Sequence, residues 1–183
     1  MAPYHLWGHT RLRMKLLKRL LYGSFKDRVV LAIIVGFFSK FITVPAFFLY
    51  YFITKLGIAH STTIDTPTSV GASFVTLNFP FDKLVSILVL APIIENLIIP
   101  LFFWIFGKLK YSSLISIVAI TTIAFFYHEP GSSRITGAMF FLTYSVFYMY
   151  CIRVCGKAQS YILSVISHFI TNLIAVGFML AFS

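Results

Sequence analysis

The run LVLAPIIENLIIPLFFWIF, from Leu88 to Phe106, is long enough to form a helix across a hydrocarbon layer, and it holds one ionisable side chain, Glu95, near its middle. A carboxylate at that depth costs at least about 2.5 to 3.5 kcal/mol on insertion scales, so it is rarely found there by accident. Two later apolar runs carry histidines, His128 in FFYHEP and His168 in SHFITN, with Asn172 one helical turn beyond His168. Lipid offers the backbone no hydrogen-bond partners, so a chain of such runs is expected to be all-α. The expectation is a membrane-embedded helical bundle in which these four side chains meet.

Composition points the same way. Of 183 residues, 59% are hydrophobic and 11% charged, against about 25% charged in a soluble domain. The length suits one compact helical domain of four to six spans and leaves no room for a sizeable soluble one. A net charge of +10 would suggest nucleic acid in a soluble protein, but seven of the fifteen Lys and Arg residues fall between Arg11 and Arg28. That cluster reads as a cytoplasmic segment facing anionic lipid, with lipids and not nucleic acid as its partners. Cys151 and Cys155 lie four residues apart on one helix face, where a disulfide would be strained; they read as small buried hydrophobes or a lipidation site.

Residues 1–28 contain no spanning run. Leu12, Leu16, Leu17, Leu20 and Leu21 recur at helical spacing among Arg13, Lys15, Lys18 and Arg19, the pattern of an amphipathic interfacial helix. The transmembrane domain then occupies residues 29–183. Five spans are expected, over about residues 29–56, 83–106, 112–128, 135–154 and 161–183. Lys40 and Pro45 fall in the first, and Glu129-Pro130-Gly131 and Cys155-Gly156-Lys157 break the chain around the fourth. The polar stretch from Gly57 to Asp82 is too long for a turn and has room for an interfacial or re-entrant piece around Phe74 to Phe81. The Lys and Arg residues of the N-terminal segment, of Lys108 and Lys110, and of Arg153 and Lys157 all fall on one side. This positive-inside pattern predicts an integral protein of the cell membrane with its N-terminus in the cytoplasm.

Each polar residue in the spans has a plain structural reading as an interhelical hydrogen-bond partner. Glu95 also suits a general base whose properties are set by apolar surroundings. His168 and Asn172, at i and i+4, project from one helix face and can aim an imidazole and a carboxamide at one point. Together the four residues suggest amide hydrolysis. Glu95, aided by His128, deprotonates a water for attack on a carbonyl, and His168 and Asn172 donate to the oxygen as it becomes an oxyanion. A zinc site from Glu95, His128 and His168 is the rival chemistry. It ranks second because no compact zinc motif is present: HEPGS lacks the second histidine of HExxH, and Pro130 would break its helix. On ideal helices Glu95 lies roughly 18 Å from the cytoplasmic end of its span, His168 roughly 12 Å and His128 roughly 24 Å, a spread that tilt has to narrow.

The motif APIIEN resembles the first motif of the CPBP family of intramembrane proteases, which includes CAAX prenyl endopeptidases and bacteriocin-processing or immunity proteins. That motif is a Glu-Glu pair, three residues and Arg, often after Ala-Pro. The second motif is Phe, three residues, His; the third is His, three residues, Asn or Asp. Glu95, His128, His168 and Asn172 match in order and spacing, over residues 81–183. Asn96 stands where the second Glu is expected, Pro100 at the Arg and Ala124 at the Phe. The resemblance implies a metal-independent glutamate endopeptidase, with no cofactor, acting on a membrane-associated peptide or protein. A catalytically lapsed relative serving as membrane scaffold, immunity factor or subunit of a membrane-protein complex is the alternative, and a small transporter or proton relay is a third reading.

Overall fold

The computed structural model describes residue 15 and residues 18–55, 81–128 and 132–182. Among these the secondary structure is entirely helical. Helix α1 is Phe25–Lys55, α2 is Phe81–Lys108 and α3 is Ser113–Tyr127. The last helical stretch, Ser132–Phe182, is divided at Gly156, whose φ of 78° and ψ of 174° interrupt the helix. It is treated below as α4, residues 132–155, and α5, residues 157–182. A positive φ is open to glycine at little cost, so Gly156 marks the turn between two helices.

Each of the five apolar runs falls on one of these helices, with ends shifted by a few residues. Of the amphipathic N-terminal helix, residue 15 and residues 18–22 are helical; its remainder lies outside the described residues. So do the stretch from Gly57 to Pro80 and the break at Glu129-Pro130-Gly131. Two helical stretches, Phe81–Lys108 and Ser133–Phe178, are long and apolar enough to cross a membrane.

Helix α1 begins at a capping box. The Ser24 amide and hydroxyl both donate to Asp27 Oδ2, at 2.8 and 2.7 Å, and the Asp27 amide returns a bond to Ser24 Oγ at 3.3 Å. The two bonds from Ser24, with Arg19 alongside, hold the Asp27 carboxyl below its ordinary range. Arg28 ties the same end of α1 to the Gly23 carbonyl at 3.0 Å and to Gln159 at the start of α5 at 3.3 Å.

Helix α4 is the centre of the bundle because it carries two apolar stripes. Phe141, Tyr144 and Tyr148 pack with Ile99 of α2 and with Ile120 and Ala124 of α3. Phe147 and Cys151, on another face, pack with Ala32 of α1 and Leu163 of α5. Both cysteines are free.

Helices α1 and α5 approach closely along small residues. Ser160, Ser164, Ser167 and Thr171 recur at intervals of four, three and four, and all are fully buried. A Cβ added at Gly36 would run into the Ser167 carbonyl and Ile170, so the contact needs glycine. Around it, Ser39 Oγ and Thr171 Oγ1 lie 2.7 Å apart and 2.7 and 2.9 Å from the Gly36 carbonyl oxygen, so that their two protons serve that carbonyl and the contact between them. Small residues and hydroxyls bonded to backbone are how helices pack where no water drives them together.

Candidate active site

The geometry around Glu95 begins with Pro92. The segment Ser86–Leu90 is a π-helical turn, a form that occurs mostly as single turns and often at functional sites. At its end the Ala91 amide bonds to the Ser86 carbonyl. The Ile87 carbonyl is thereby deprived of Ala91, its ordinary partner, and the next amide in register would be that of Pro92, which has no N–H. Asn172 of α5 supplies the missing donor, its Nδ2 lying 2.9 Å from the Ile87 oxygen.

A second irregularity follows Glu95. The Leu97 amide turns back to the Ile94 carbonyl at 3.2 Å, a tighter bond than the α-helical one. The Ile93 carbonyl that it would have met accepts instead from the Tyr161 hydroxyl at 2.7 Å. Helix α2 therefore departs from regular geometry on both sides of Glu95, and α5 answers each departure with a side chain.

Between those two tethers, adjacent residues of α2 meet one imidazole of α5. Glu95 Oε2 lies 3.8 Å from His168 Nε2. Asn96, fully buried, places Nδ2 3.2 Å from His168 Nδ1 and 3.4 Å from the Ser164 carbonyl. The His168 side chain is 7% exposed and that of Glu95 33%, so the carboxylate is the open edge of the pair. Tyr144 stacks on the His168 ring at 4.9 Å between centroids, and Phe141 meets the ring edge-on at 6.3 Å.

His128 caps the end of α3 with an extended backbone. Its Nδ1 lies 3.0 Å from the Ala124 carbonyl. A carbonyl only accepts, so Nδ1 carries a proton, and in the neutral ring Nε2 is the acceptor. The ring rests on Gly137 of α4, where an added Cβ would stand 2.7 Å from Nε2. Arg134 Nε holds the His128 carbonyl at 3.2 Å. Phe141 also meets this second imidazole, at 6.4 Å, and so stands beside both histidines.

Glu95 and His168 are thus neighbours, and His128 flanks them. Asn172 lies one turn from His168, but one of its amide hydrogens is engaged by Ile87. Among the described residues, no group of three His, Cys, Asp or Glu side chains is arranged to hold a metal ion. Sequence reasoning named Asn96 only as a departure from the motif and passed over Tyr161, Gly137 and Tyr144. Pro92 was a signal only for the partner of Ile87, because a proline inside a helix withholds an amide that a neighbour must replace; nothing in the sequence marks the Leu97 turn that Tyr161 answers.

Comparison of the chain with protein-family models, with curated proteins and with solved structures finds no match.

Proposed function

We propose that the chain is an intramembrane endopeptidase of the CPBP type, which hydrolyses a peptide bond in a membrane-associated peptide or protein. The observation that carries this reading is the meeting of Glu95 and His168 at 3.8 Å across two helices. That separation is too long for a direct hydrogen bond and suits one oxygen, of water or substrate, held between the two groups.

In the reaction, a water oxygen adds to the scissile carbonyl carbon while its proton passes to Glu95. His128 presents its bare Nε2 as the assisting acceptor. His168 donates to the carbonyl oxygen as negative charge builds there. Glu95 then returns the proton to the leaving nitrogen as the C–N bond breaks. Asn172 holds the π-helical turn through Ile87 and has a second amide hydrogen for the oxyanion.

The membrane setting rests on the surface as well as on composition. Only 22% of the apolar window in α2 and 33% of that in α4–α5 is buried within the protein. Phe37, Phe38 and Phe41 of α1, Trp104 of α2, and Val118 and Phe126 of α3 all face outward. Lipid covers such a surface; water does not. In this reading the five helices are five spans of an integral cell-membrane protein, the basic N-terminus lying in the cytoplasm. Helix α3, at 15 residues, reaches about 22 Å against a hydrocarbon core of about 30 Å. His128 then ends it within the apolar layer, which brings the second imidazole to the depth of Glu95.

The test is cleavage by purified protein in liposomes, offered a panel of membrane-associated and prenylated peptides. Wild type is expected to cleave, with Glu95→Gln reducing the rate by roughly 10²-fold or more and a chelator having no effect. A second reading, the lapsed scaffold or complex subunit, is favoured by Asn172 being engaged at Ile87 and by Asn96 replacing a carboxylate. Absence of cleavage across the panel, with full cellular function in Glu95→Ala and His168→Ala variants, selects that second reading.

A further inference from the structure

Asn96 and Glu95 are sequence neighbours that address the two nitrogens of one imidazole. Which nitrogen of His168 carries the proton decides what the ring offers to the site. The Asn96 amide bears on it through a contact that does not involve the histidine, in an orientation that leaves Asn96 Oδ1 without a partner among the described residues. The Ser164 carbonyl, 3.4 Å from Asn96 Nδ2, can only accept, so the group facing it is the NH2 and not the amide oxygen. That same nitrogen stands 3.2 Å from His168 Nδ1. An NH2 facing a ring nitrogen requires that nitrogen to be the acceptor, and a neutral imidazole that accepts at Nδ1 carries its proton on Nε2.

We propose that Asn96 is a positioning residue that holds His168 as the Nε2–H tautomer, so that the ring presents a donor to the Glu95 side of the site. The role deepens the endopeptidase reading and rests on it: a bare Nε2 would face the Glu95 carboxylate lone pair to lone pair and give an oxyanion no donor. Two features keep the ring from turning the other way. Tyr144 is stacked on its face at 4.9 Å, and Asn96 has no exposed surface through which its amide could rotate freely. His128 is held in the opposite tautomer by the Ala124 carbonyl. The site therefore contains one imidazole that donates at Nε2 and one that accepts there, as its proposed division of labour needs.

An acid at position 96 does the reverse of an amide. A carboxylate accepts from Nδ1–H, which leaves Nε2 bare or makes the ring a cation. Asn96 and aspartate are close in shape, so Asn96→Asp changes the proton's position with little change in packing volume.

The experiment is 15N NMR of protein labelled at histidine side chains, in bilayers, at a pH where the imidazoles are neutral, with His168 assigned by its loss in His168→Gln. In wild type the His168 Nε2 resonance is expected at the protonated position and Nδ1 at the unprotonated one. In Asn96→Asp, Nδ1 becomes protonated; in Asn96→Leu the two tautomers mix. Wild-type His168 protonated at Nδ1, or an unchanged His168 spectrum in Asn96→Asp, overturns the proposal. The wild-type spectrum decides even if a variant fails to fold. Because it is read without substrate, it separates from the protease reading: the expected tautomer in a protein that cleaves nothing keeps Asn96's role and removes the reaction.

Discussion

Helix α5 carries polar groups on two faces, and the faces differ in how they are used. Toward α1, Thr171 and Ser39 bond to each other and to one backbone carbonyl across a contact that only glycine allows. Toward α2, Tyr161 and Asn172 bond to carbonyls freed by irregular helix, and between them His168 meets a carboxylate at a distance that completes no bond. The first face is sealed from any ligand: its residues are fully buried, including Ser164 and Ser167, whose hydroxyls meet no partner among the described residues. The second holds Glu95 with bonding capacity left over and fixes everything around it. Polar groups within apolar helices are costly on either face; only the second leaves that capacity available to a substrate.

The contrast predicts separable effects of mutation. Glu95→Gln should give the largest, a loss of cleavage of about 10²- to 10⁴-fold with little change in thermal stability; parallel loss of folding would make Glu95 another packing contact. Next, Gly36→Val should drive α1 from α5 and destabilise by about 1–3 kcal/mol, as overpacked cores do, read by detergent-resistant thermal unfolding. Asn172→Leu leaves the Ile87 carbonyl unsatisfied at about 1–3 kcal/mol and should also lower cleavage, because it releases the turn leading into Glu95. Thr171→Val removes one hydroxyl from the closed face and should lower stability by about 0.5–1.5 kcal/mol without touching activity. The smallest effect belongs to the capping box, far from both faces. Asp27 has a lowered folded-state pKa, so its contribution is present above the unfolded value and lost as pH falls through the folded one. Amide-exchange protection in the first turn of α1 should weaken over that acid window in wild type and be indifferent to it in Asp27→Asn.

Much of this arrangement was legible in the sequence. The apolar runs located the helices because few polar residues interrupt them, and Gly156 marked the turn between the last two. Glu95 and His168 stood out because each is ionisable in an apolar setting, and the structure does bring them together. The use made of Asn172 was not legible: its partner is a carbonyl that exists only because the chain adopts a π-helical turn before Pro92. Asn96 read as a departure from a motif, since its value lies in the orientation of an amide relative to Ser164, which no spacing encodes. Tyr144 and Tyr161 were hidden among many aromatics, and Gly137 signalled nothing until the His128 ring was found resting on it.

The most direct test of the central claim is the distance between Glu95 and His168 in a lipid bilayer. Dipolar recoupling between a 13C-labelled glutamate carboxyl and 15N-labelled histidine rings, with Glu95→Gln and His168→Gln as the two blanks, reads that distance. The account predicts a coupling consistent with the 3.8 Å separation of Oε2 and Nε2, present in wild type and absent from both blanks. No coupling above the blanks would place the acid and the imidazole apart and contradict the site from which the proposed chemistry is built.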